Sequence, residues 1–106
     1  MANKVVSMPI KKKWFDMILS GEKKEEYRTI GDYWRKRLLF DKVDAIKLIN
    51  GYGRDKPYIV VELKDITIGE GKEEWGFTPG EECYILKLGK IIKMKNLISV
   101  INLNQH

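Results

Sequence analysis

The segment Gly21-Glu22-Lys23-Lys24-Glu25-Glu26-Tyr27-Arg28 brings Lys23, Glu26 and Arg28 together, two cations around one carboxylate. A carboxylate flanked by cations is favoured in its ionised form. Glu26 could accept hydrogen bonds from base amino or ribose hydroxyl groups, or serve as a base. Arg28 suits bidentate recognition of phosphate. Lys23 is a mobile point charge that could contact a phosphate or stabilise an oxyanion. If this site is catalytic, Lys23 and Glu26 are the acid/base or charge-stabilising pair; if it only binds, Lys23, Glu26 and Arg28 form its floor. The competing reading is a solvated ion-pair network on a strand surface, each exposed pair worth about 0–1 kcal/mol.

Read as a strand over 22–30, the segment puts Lys24, Glu26 and Arg28 on one face and Glu25, Tyr27 and Thr29 on the other. Lys23 precedes the strand proper, so it can reach the Glu26 face despite its parity. Failing that, Lys24 takes its place. A further carboxylate partner could come from Glu62, Glu73 or Glu74, and the sequence does not choose among them.

Other residues could contact nucleic acid. Lys11-Lys12-Lys13 and Arg35-Lys36-Arg37 are basic clusters able to meet a phosphate backbone, or to serve as solvated helix faces. Trp75 and Phe77 lie in a Gly- and Pro-bearing loop. They could stack bases, or plug the end of a barrel. Tyr52, between Gly51 and Gly53, is placed to line a cleft from a tight turn. Trp14 and Trp34 are assigned to the core. Cys83, within the apolar run that continues as Tyr84-Ile85-Leu86, reads as a buried structural thiol. The lone His106 is the last residue of the sequence. One Cys and one His leave no Cys/His zinc set and no internal disulfide, and the terminal position of the lone His weighs against a Ser-His-Asp or Cys-His engine.

These side chains need elements to hold them. Residues 4–10 read as a strand that Pro9 ends, introducing a helix. Trp14/Ile18 and Phe15/Leu19 at i,i+4 spacing make one apolar stripe over 11–20. Gly21 follows as the residue that terminates this helix. Asp32 is an N-cap for a short helix over 33–40, with Tyr33, Trp34, Arg37 and Leu38 on one side and Arg35 and Lys36 pointing away. The pattern then turns to strands: 44–50, a loop over 51–57, and 58–68 with Ile59, Val61 and Leu63 on one face. A polar loop over 69–82, strands over 83–88 and 91–94, and a last strand over 97–103 follow. The reading is α+β: a small barrel or strongly curved sheet of five or six strands with two short helices near the N-terminus.

The motif matches G-x-K-x-x-E-x-R at Gly21, Lys23, Glu26 and Arg28, and resembles the signature of the ASCH superfamily, a branch of the PUA-like folds. The similarity extends to Ser7-Met8-Pro9, to the aromatic-bearing helix that ends in Ser20-Gly21, and to Tyr84-Ile85-Leu86-Lys87-Leu88-Gly89-Lys90-Ile91-Ile92. It is strong over residues 5–30 and looser afterwards. The resemblance implies a PUA-like barrel with a cleft beside the motif. In that family the cleft is proposed to take RNA or modified nucleosides. Some members hydrolyse acylated cytidine, and others act as ribonucleases. The small amidohydrolases of the family carry a nucleophilic Thr where this chain has Glu26, a departure that weighs against deacylation here.

With 106 residues the chain is read as one domain, 1–106, rich enough in apolar residues (43%) to bury a single core. No apolar run is long enough to span a membrane, and the N-terminus lacks a signal-peptide pattern, so a cytoplasmic location is expected. Net charge is +5. Residues 1–40 hold ten Lys/Arg against five Asp/Glu, whereas residues 41–106 hold ten of each, so the excess lies in the first part. A one-sided basic surface attracts polyanions, although the same charge also serves solubility. The expectation is a domain that binds RNA or a nucleotide-like small molecule, with no metal, no cofactor and no membrane. The alternatives are a metal-free hydrolase of a nucleoside amide or of RNA, and an interaction protein whose charged strand is mere surface.

Overall fold

The computed structural model describes residues 4–40 and 42–95. The expected last strand over 97–103 and His106 lie outside the described residues. Within them the order is β1 (Val5–Ile10), α1 (Lys12–Leu19), β2 (Glu25–Thr29), α2 (Asp32–Leu39), β3 (Ala45–Asn50), β4 (Tyr58–Gly69), a 3-10 turn (Glu73–Trp75) and β5 (Cys83–Lys95). The protein is α+β, a mixed five-stranded sheet in the order β1-β3-β4-β5-β2 with two helices. Only β1 and β3 run parallel; the other neighbours are antiparallel. Among the described residues the sheet is open, with β1 and β2 at its edges.

Period-two burial sorts the strands as their residue types demand. Val6, Met8 and Ile10 of β1, Ile46 and Leu48 of β3, Ile59 and Val61 of β4, and Tyr84 and Leu86 of β5 all enter one core. Phe15 and Ile18 of α1 and Leu38 of α2 close over it. Burying each such side chain contributes about 1.5–3 kcal/mol. The opposite face of β2 and β5 carries a smaller cluster of Cys83, Ile85 and Phe77 with Tyr27 packed on it. Cys83 is buried, as its apolar neighbours predict, and desolvation raises its thiol pKa, with the Glu25 charge adding to the effect.

Gly21 ends α1 at φ +87°, donating to the Ile18 carbonyl. The chain then turns back so that the Lys23 N–H donates to the Met17 carbonyl at 2.9 Å. This turn places Lys23 under the strand it precedes.

Several local expectations need correction. Pro9 does not end β1. It pairs with Ile49 inside the strand, tolerated because β1 is an edge and needs no outward N–H donor there. Asp32 is not the N-cap. It opens α2 after Gly31, and its carboxylate bonds the Arg35 side chain instead. On α2, Trp34 and Leu38 face the core, whereas Tyr33 and Arg37 stack on each other in solvent. The segments read as strands over 83–88 and 91–94 are one strand, β5, whose pairing with β4 shifts register between Val60 and Asp65. Such irregularities bend and twist a sheet.

The loop that joins β4 to β5 is fixed by close backbone approach. A Cβ on Gly71 would lie 2.4 Å from the Tyr27 ring. Gly71→Ala is therefore expected to lift this loop and destabilise the protein by about 1–3 kcal/mol, read as a lower urea midpoint at unchanged slope. A wild-type midpoint in that variant would show that the loop accommodates the methyl elsewhere.

Candidate functional site: a tryptophan-walled cleft at the open edge of the sheet

Glu26 and Arg28 sit opposite Leu86 and Tyr84 on the core face of the sheet. They are the polar exception in an otherwise apolar surface. The Glu26 carboxylate is almost fully buried, with 7% of its side chain accessible. Its Oε1 accepts from Lys23 Nζ at 2.7 Å, and its Oε2 accepts from Arg28 Nη1. Arg28 Nη1 also donates to the Tyr27 carbonyl at 2.7 Å, and Nη2 donates to the Pro9 carbonyl at 3.1 Å. Thus three of its five N–H donors are held by the protein. The last bond is long-range: the guanidinium crosses the opening between β2 and β1, the two sheet edges.

Lys23 has no exposed side-chain surface (0%). Its ammonium also donates to the Glu25 carbonyl and lies 4.9 Å from the Tyr27 ring centroid and 5.5 Å from that of Trp14. Burial pushes this ammonium below its ordinary pKa, and the Glu26 carboxylate pulls against that shift. The Tyr27 hydroxyl donates to Glu25 at 2.8 Å and accepts the Lys72 N–H at 2.9 Å; burial raises its pKa.

A cleft of about 520 Å³ opens beside this network. Its floor includes Glu26, Tyr27 and Arg28 of β2 and Pro9 and Ile10 of β1. Its walls are Trp14 of α1, Trp34 of α2, Gly51 and Tyr52 of the β3–β4 loop, and Trp75 and Gly76 of the β4–β5 loop. Lys11 stands at its rim. All three tryptophans of the chain line this one hollow. Arg28 lies 5.4 Å from the Trp34 ring centroid. Gly76, at φ +97°, sits so close to Trp14 that a Cβ there would be 3.0 Å from the indole. The result is an aromatic slot with one guanidinium at its base, two of whose donors remain uncommitted.

The structure thus brings together Glu26, Arg28, Tyr52, Trp75 and Lys11 of the sequence-derived set. Tyr52 is 83% exposed and reaches the cleft from its glycine turn. Lys23 belongs to the network but lies behind Glu26, outside the cleft lining. Lys24, its suggested substitute, is exposed and uninvolved. Lys12 pairs with Asp16 and Arg35 with Asp32 on helix surfaces, and neither they nor Lys36 line the cleft. Glu62, Glu73 and Glu74 do not line it either; Glu62 accepts the Lys90 N–H on another part of the sheet. Phe77 and Trp75 divide the loop's two suggested roles. Phe77 is buried edge-on against Tyr27, 5.9 Å between centroids, whereas Trp75 forms cleft wall.

Sequence reasoning assigned Trp14 and Trp34 to the core. They pack on its margin and line the cleft as well. The available signal was the residue type itself, since tryptophan is seldom fully enclosed. The Pro9 carbonyl could not be anticipated, because it enters only through the approach of β1 to β2. Among the described residues no cluster of His, Cys, Asp and Glu converges to hold a metal, and no helix is long and apolar enough to cross a membrane. No family model, curated protein or solved structure matches the chain.

Proposed function

We propose that this protein is an ASCH-type, PUA-like domain that binds a nucleotide or an unpaired RNA base in the tryptophan-walled cleft. The observation that carries the reading is the convergence of Trp14, Trp34 and Trp75 on the hollow that holds Arg28. Aromatic faces stack bases of any sequence, at about 1–3 kcal/mol per base. A guanidinium with two spare donors in a fixed fork suits a phosphate oxygen. Glu26, fixed by its cations, holds that fork in place. The mutual bonding of Lys23, Glu26 and Arg28, the fixed positions of the G-x-K-x-x-E-x-R motif, supports the family assignment. The Arg28 bond to Pro9, which spans the sheet opening, supports a barrel-like closure around the core. A cytoplasmic place of action, expected from the sequence, is compatible with an RNA ligand.

Hydrolysis draws less support. Both Glu26 oxygens are bonded to cations and Lys23 is sealed behind them, so neither is placed to meet a substrate proton. The test is tryptophan fluorescence, because every indole of the chain lines the cleft. Titration with nucleoside monophosphates, acylated cytidine and oligouridylate is expected to give saturable quenching, and the affinity for oligouridylate should fall steeply with salt. Absence of quenching across that panel at low salt would remove the binding proposal.

A further inference from the structure

The count of ten basic and ten acidic residues over 41–106 balances to zero, but those among the described residues are unevenly placed. Five of the acids, Glu70, Glu73, Glu74, Glu81 and Glu82, lie in the β4–β5 loop. On the outer face of the other end of the sheet the register sets lysines on either side of β4. Lys47 of β3 and Lys93 of β5 both oppose Val60 of β4, and Lys95 opposes Tyr58. Residues directly opposite share a face. Lys47 Nζ stands 4.1 Å from the Tyr58 ring centroid. Lys47, Lys56, Tyr58 and Lys95 border a shallow hollow of about 260 Å³ in which Asp55 is the sole acid. None of these lysines is ion-paired among the described residues. Like charges so placed repel one another, and a polyanion relieves that repulsion.

The β3–β4 loop joins this face to the cleft. Gly51 and Tyr52 line the cleft, while Gly53, Asp55 and Lys56 border the lysine hollow. We propose that Lys47, Lys56, Lys93 and Lys95 form a second contact surface for the sugar-phosphate backbone of a single-stranded RNA. The strand leaves the cleft past Tyr52 and crosses the loop onto the outer face of β3, β4 and β5. The choice of RNA as the polyanion rests on the cleft reading; the lysine face itself does not.

The test compares wild type with the triple variant Lys47→Gln, Lys93→Gln, Lys95→Gln, measuring binding of uridine monophosphate and of a uridylate 12-mer across a salt series. These side chains are solvent-facing, and circular dichroism checks that the fold survives. Loss of three phosphate contacts should weaken 12-mer binding about tenfold or more and lower the log–log salt slope by about 2. Monophosphate binding should stay unchanged. Arginine at the same three positions should retain 12-mer affinity. Equal 12-mer affinity and slope in wild type and the glutamine variant would overturn the proposal. So would tight binding to phosphatidylglycerol vesicles, lost in the glutamine variant, without any change in RNA affinity, because it would assign the face to a lipid surface. A 12-mer affinity that depends on the lysines but not on Arg28 would uphold this surface and refute the cleft reading.

Discussion

Glu26→Ala is expected to cost about 3–5 kcal/mol of folding stability, among the largest effects of any single change in this protein. The side chain itself is modest in size; the cost lies in what its loss leaves behind. Lys23 has no accessible side-chain surface and depends on Glu26 Oε1 for its charged partner. Without the carboxylate, a buried ammonium keeps only the Glu25 carbonyl and two ring faces. Replacing both ends, as in Lys23→Met with Glu26→Leu, should be far milder, because a well-packed apolar pair can match a buried ion pair. Urea unfolding of the singles and the double closes a thermodynamic cycle. A double variant whose loss equals the sum of the Lys23→Met and Glu26→Leu losses would show that the pair is not coupled.

The same network fixes a pH dependence. Desolvation lowers the Lys23 pKa below its ordinary 10.5, so between the folded value and 10.5 the unfolded chain binds the extra proton. Stability rises with pH wherever the unfolded state holds more protons. This group therefore costs stability below its folded pKa, and the cost is relieved as pH climbs toward 10.5. In Glu26→Gln the opposing pull of the carboxylate is gone, so the relief begins at lower pH. The gap between Glu26→Gln and wild type should narrow from pH 7 to about pH 10. A gap that is constant or widens would mean that Lys23 is not the group responsible.

Arg28→Ala is expected to weaken ligand binding by about 10- to 100-fold, the worth of one charge-assisted hydrogen bond at 1.5–3 kcal/mol. Arg28→Lys should recover little. A lysine keeps the charge but cannot serve Glu26, the Tyr27 carbonyl and the Pro9 carbonyl while still offering donors to a phosphate. Fluorescence titration at low temperature, with the fold verified by circular dichroism, separates binding from stability. Full affinity in the lysine variant would show that only charge matters and that the fork does not.

The grouping of the motif's charged side chains was legible because period-two alternation dictates which side chains share a face. It put Glu26 and Arg28 together, and the placement of Lys23 before the strand allowed it to reach them. The i,i+4 stripe of Phe15 and Leu19 with Trp14 and Ile18 likewise located α1 and its inward face. The parts that were not legible depend on long-range approach. The neighbourhood of Pro9 and Arg28 follows from how the two sheet edges curl toward each other, which no local window encodes. The burial of Lys23 follows from Trp14, Tyr27 and the turn at Gly21 enclosing it. The lysine face of β3, β4 and β5 arises from strand register, which a linear charge count averages away.

The strand order also dictates when the site can come into being. Among the described strands, β2 bonds only β5, the last of them. During synthesis, the Glu26 and Arg28 pair emerges early but has no sheet to join until Cys83 to Lys87 has left the ribosome. Non-local pairing of this kind forms late and slowly. Until then a nascent chain carries the motif's charges without the hollow beside them.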